Sequence, residues 1–122
     1  MKTRKKLMLV VTLIFVMSFV LGNVAYAYNL NSISLSTAYK LFVVGQKTSS
    51  STQSVTNVSN FVGNSDTIWY AKVTDATGST IGSGSRKGTG YVRSATGTIM
   101  QSLQLHMKAS ITPYKVTGSW TP

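Results

Sequence analysis

Apolar and polar residues alternate along most of the chain beyond its first twenty-seven positions, and the alternation has period two rather than 3.6. The clearest run is Ile99, Gln101, Leu103, Leu105 and Met107, interleaved with Met100, Ser102, Gln104, His106 and Lys108. Thr67–Thr74 places Trp69, Ala71 and Val73 on one face, and Asp75-Ala76-Thr77-Gly78 follows as a turn with a glycine suited to the left-handed region. A short return strand through Ile81 then completes a hairpin. Tyr91–Ala95 predicts a further short strand. Pro113 opens a last one, in which Tyr114, Val116, Gly118 and Trp120 alternate with Lys115, Thr117 and Ser119. Upstream, Ile33, Leu35, Tyr39, Leu41 and Val43 fall on alternate positions as in a half-buried strand. Leu35, Tyr39, Phe42 and Val43 also have helical spacing before Gly45, which leaves a helix open there. Gln46–Asn60 is Ser, Thr, Asn or Gln at twelve of fifteen positions, interrupted by Lys47, Val55 and Val58, and reads as a linker or an exposed edge strand. Six or seven short strands with turns between them predict an all-β fold, a small antiparallel sandwich or barrel.

Composition supports strands over helices, because Glu is absent and Ser and Thr make up 30 of the 95 residues from Tyr28 to Pro122. The segment before Tyr28 has a different character. Lys2, Arg4, Lys5 and Lys6 precede an apolar run from Leu7 to Leu21, and Ala25 and Ala27 supply the small residues of an A-x-A cleavage site. This predicts a secretory leader over residues 1–27, cut by signal peptidase, and a single domain over residues 28–122. An uncleaved anchor is the alternative, since the apolar stretch approaches the ~20 residues that span a bilayer.

Charge narrows the partners. Residues 28–122 hold eight Lys and Arg against Asp66 and Asp75, a net charge of +6, so anionic surfaces attract this domain. For an exported protein these are phospholipid head groups, teichoic acids and pyrophosphate-linked wall precursors such as lipid II; nucleic acid does not fit export. The chain has no cysteine, which sets it apart from disulfide-stapled secreted domains and fits a Gram-positive bacterial source.

The same scarcity argues against an enzyme. One histidine, two aspartates and no Glu or Cys leave little from which to assemble a triad, a carboxylate pair or a zinc site, so no catalytic residue, metal or cofactor is expected. His106 falls on the polar face of its strand. Trp69 and Trp120 are expected inside, whereas Tyr70, opposite in phase to Trp69, and Tyr91 are candidates for an exposed aromatic surface.

The stretch GSGSRKGTGYVR, residues 82–93, is the densest combination of glycine and positive charge. It does not match a Walker loop, because Lys87 precedes its glycine. Its backbone at Gly82, Gly84 and Gly88 suits an anion-binding concavity flanked by Arg86, Lys87 and Arg93, and suits equally a plain connection between two strands.

Ala38-Tyr39, Gly45-Gln46-Lys47-Thr48-Ser49 and Trp69-Tyr70-Ala71-Lys72-Val73-Thr74 together resemble the Sec-secreted lactococcin-type bacteriocins. That resemblance spans about Ala38 to Gly78 and implies a small β-sandwich that acts on lipid II. The chain departs from the pattern at Tyr70, lacks histidines near Gly45 and runs past the family's usual end. Gly88-Thr89-Gly90-Tyr91, the strand with Leu103 and Leu105, and Tyr114-Lys115-Val116-Thr117-Gly118-Ser119-Trp120 are similar to uncharacterised small secreted proteins of bacilli. The expected function is that of a bacteriocin-like or envelope-binding protein. The alternatives are a non-enzymatic matrix or structural protein capable of self-association, and an immunity factor held near the membrane.

Overall fold

The computed structural model describes residues 26–122; the leader reading for residues 1–25 lies outside them. Eight strands follow in order: β1 (Tyr28–Leu35), β2 (Lys40–Gln46), β3 (Gln53–Gly63), β4 (Ile68–Asp75), β5 (Thr80–Lys87), β6 (Gly90–Ala95), β7 (Ser102–Ala109) and β8 (Tyr114–Thr121). They form two four-stranded antiparallel sheets, ordered β1-β8-β3-β6 and β2-β7-β4-β5, and no helix occurs among the described residues. The fold is an all-β sandwich.

Each sheet contributes one apolar face. Leu30, Leu35, Val58, Val92, Tyr114, Val116 and Trp120 come from the first, and Trp69, Ala71, Val73, Leu103, Leu105, Met107 and Ala109 from the second. Alternation of side chains along each strand produces these two inner faces, which interdigitate in a core ~10 Å thick. The indole nitrogens inside it are both satisfied: Trp69 Nε1 donates to the Gly88 carbonyl at 2.8 Å, and Trp120 Nε1 to Ser54 Oγ at 2.8 Å.

Four expectations need correction. The run from Ile33 to Val43 is two strands, in different sheets, broken at Ser36–Tyr39; a register shift between Leu41 and Val43 leaves Leu41 exposed. The polar tract divides: residues 47–52 connect β2 to β3, while β3 is not an edge strand but lies between β8 and β6. Its buried Ser54 and Thr56 face inward, and Ser54 accepts from Trp120 while donating to the Thr121 carbonyl at 3.3 Å, so a polar strand is accommodated in the middle of a sheet. Ile99 and Met100 precede β7 and are exposed. The return strand through Ile81 continues to Lys87, and the division of Ile33–Val43 between β1 and β2 brings the strand number to eight.

Candidate functional site

Residues 82–93 are the closing corner of the sandwich. β5 is the edge of one sheet and β6 the edge of the other, and Gly88-Thr89 joins them with Gly88 at φ +75°. The glycines of β5 permit close approach: a Cβ on Gly82 would stand 2.5 Å from the Ala95 carbonyl oxygen, and one on Gly84 would stand 2.6 Å from Val92 Cγ1. The three cations leave in separate directions. Arg86 turns back on the corner, donating from Nε to the Thr89 carbonyl at 2.8 Å and from Nη1 to the Tyr91 carbonyl at 3.4 Å. Lys87 pairs with Asp66 at 3.0 Å, the one ion pair among the described residues. Arg93 lies 5.3 Å from the ring centre of Tyr91, which is 52% exposed on the outer face of the other sheet.

A denser cluster occupies the outer face of the β2-β7-β4-β5 sheet. Tyr70, Lys72 and Thr74 of β4 point away from the core because Trp69, Ala71 and Val73 point into it; Gln104, His106 and Lys108 of β7 do so opposite Leu103, Leu105 and Met107. Antiparallel pairing sets Tyr70 beside Lys108, Lys72 beside His106 and Thr74 beside Gln104. Tyr39, at the end of the β1–β2 connection, reaches over the same face. Lys72 Nζ lies 4.4 Å and Lys108 Nζ 4.7 Å from its ring centre, and Lys108 Nζ lies 4.8 Å from that of Tyr70. One phenol ring thus gathers two ammonium groups that the alternation alone only places on the same side.

No carboxylate offsets this charge. The chain has two acidic side chains; Asp66 is held by Lys87, and Asp75 Oδ1 accepts from the Thr77 amide at 2.9 Å, the Thr77 hydroxyl at 2.6 Å and the Ser79 amide at 3.0 Å. Those bonds, chiefly the Thr77 hydroxyl, hold the Asp75 carboxyl below its usual range. Burial, and then the neighbouring Tyr70, push the Tyr39 phenol up, so Tyr39 presents a neutral hydroxyl at neutral pH. Burial, and then the charge of Lys72, push His106 down, so its ring is neutral there too. His106 Nε2 lies 3.1 Å from Thr74 Oγ1 and 3.3 Å from Gln104 Oε1. The Thr74 hydroxyl is buried and already engaged by His106, Gln104 and the Asp75 carbonyl oxygen at 3.1 Å. The face can bind an oxyanion through two ammonium groups and present phenol rings to an apolar or sugar surface beside it. No cluster of potential metal ligands occurs among the described residues.

Tyr70 and His106 stand on this face as their strand phases require. Tyr39, Lys72 and Lys108 were absent from the sequence-derived candidates. Lys72 and Lys108 share the phase of Tyr70 and His106 within their strands, a signal that was available; Tyr39 sits between β1 and β2, so its place in the alternation along the sequence does not assign it to this face. Ala27 precedes β1 and is exposed, while Ala25 lies outside the described residues. The chain matches no protein-family model, no curated protein and no solved structure.

Proposed function

We propose that the protein is an exported, non-enzymatic module that binds an anionic component of the bacterial envelope through the outer face of the β2-β7-β4-β5 sheet. The supporting observation is the pairing of Lys72 and Lys108 over Tyr39 and Tyr70 with no carboxylate in reach. The ligand class is a phosphate or pyrophosphate group carried on a larger molecule: the pyrophosphate of lipid II, a teichoic acid or a phospholipid head group. Two ammonium groups neutralise the anion, and the phenol rings pack against the part that bears it. A bacteriocin-like action follows if the target is lipid II.

An assembling matrix protein fits less well. The open edges β1 and β2 each carry a register shift, between Leu30 and Ile33 and between Leu41 and Val43, and such bulges oppose strand addition. The other two edges, β5 and β6, face each other across the corner. A growth assay separates the two readings. The purified protein should inhibit related Gram-positive strains, and added lipid II should relieve the inhibition. Lack of inhibition combined with concentration-dependent fibre formation would favour the matrix role instead.

A further inference from the structure

At one end of the sandwich the β2–β3 connection, residues 47–52, meets the β6–β7 connection, residues 96–101, around a cleft of about 540 Å³. Lys47 lines it and is 1% exposed, the most deeply buried charged side chain described. Its ammonium group has three donors, and one of them meets an acceptor, the backbone oxygen of Pro122 at 3.3 Å. Both aspartates are engaged elsewhere, and the Pro122 oxygen, on the last residue of the sequence, is the one acceptor among the described residues on this buried ammonium group, which leaves two of its donors unused. Burial accordingly lowers the pKa of Lys47. Thr96 lines the same cleft, and its Oγ1 is buried with no hydrogen-bond partner. Ser50, Thr52 and Thr98 add hydroxyls to the wall.

The walls are built rather than loose. Lys47 N donates to the Gln101 carbonyl at 3.0 Å, Met100 N to the Lys47 carbonyl at 2.8 Å, and Thr98 N to Gln101 Oε1 at 3.0 Å. Met100 holds φ +71°, a left-handed conformation unusual for a methionine, which these bonds maintain.

We infer that this cleft binds a phosphate group, with the Lys47 ammonium supplying charge and the Thr96 hydroxyl donating to a phosphate oxygen. A lysine point charge ringed by hydroxyls suits a tetrahedral oxyanion with several acceptors; the planar fork that favours a carboxylate is absent from its lining. The site is separate from the lysine–tyrosine face and stands whether or not that face binds an envelope anion.

The test is an amide-shift NMR titration of the whole protein with inorganic phosphate, and in parallel with glycerol phosphate, at constant ionic strength. Saturable shifts should appear at residues 50–52 and 96–98. Saturation by the free ion or by the ester supports the site and tells which source it accepts. Lys47→Met should weaken binding at least about tenfold and Thr96→Val about threefold, as loss of a charged and of a neutral hydrogen bond implies. Lys72→Gln with Lys108→Gln should leave these shifts intact, which separates this cleft from the sheet face. If Lys47→Met fails to fold, Thr96→Val and the wild-type titration still decide. Absence of saturable shifts with either probe, or affinity unchanged in the folded variants, overturns the inference.

Discussion

Lys72 and Lys108 sit on tyrosine rings at a distance where each contact contributes about 0.5–1 kcal/mol at a partly exposed site, enough to fix the side chains without neutralising them. The charge therefore remains available to a ligand. His106 is the one group beside them that titrates near neutrality, and the sign of its effect on stability can be worked out. Its folded pKa lies below the 6.5 of the free side chain, so between those two values the unfolded chain binds a proton that the folded chain does not. Stability should fall as pH drops from 7 through 6.5 and level off below the folded pKa. Asp75, also depressed, adds a further loss only as pH falls through its ordinary value of 3.8. Chemical denaturation between about pH 7.5 and 5.5 checks this, a range ~1 unit either side of the ordinary histidine value. His106→Gln, which keeps a polar partner for Thr74, should flatten the slope; an unchanged slope would show that His106 is not its source.

At the scale of the strands, periodicity was a good guide where apolar residues mark every second position, and a poor one where packing is done by other means. β4, β7 and β8 are legible because Trp69-Ala71-Val73, Leu103-Leu105-Met107 and Tyr114-Val116-Trp120 declare an inner face. β3 was hidden because the inner positions Ser54 and Thr56 are polar, and only the arrival of the Trp120 indole, 66 residues away in sequence, makes Ser54 a good core residue. Composition could not tell a central strand from an edge. β5 was hidden for a different reason. Its glycines look like a flexible loop, but two of them face β6 at distances that leave no room for a side chain. Gly82→Ala should therefore force the two edges apart and destabilise the fold by about 1–3 kcal/mol, the range of an overpacked core. Gly88→Ala meets no neighbour and strains only a positive φ, so its cost should be nearer 1 kcal/mol. Denaturant midpoints of the two variants provide the comparison. A larger loss at Gly88 would mean that backbone conformation, not the approach of β5 to β6, dictates the corner.

For the whole molecule, the eight cations from Tyr28 onward are not one basic patch. Arg86 and Lys87 are tied to carbonyls and to Asp66, Arg93 and Lys115 belong to the other sheet, and Lys47 is buried at one end. Charge and glycine are densest along the chain at residues 82–93, whereas the sheet brings together Tyr39, Tyr70, Lys72, His106 and Lys108 from three separate segments. Strand order, which decides this, is not written in local periodicity. The general expectation of a cationic all-β domain was accessible; the identity of its charged face required the pairing of β4 with β7. The most direct test is a titration of wild type, Lys72→Gln/Lys108→Gln and Arg93→Gln/Lys115→Gln against lipid II and wall teichoic acid at ~0.15 M salt, where charges beyond ~8 Å are largely screened. Each charge-assisted hydrogen bond contributes roughly 1.5–3 kcal/mol, so the first pair should weaken binding on the order of 100-fold or more. The second pair, with the same loss of charge, should weaken it only a few-fold. Equal losses in the two variants would contradict a local site and leave diffuse attraction as the explanation.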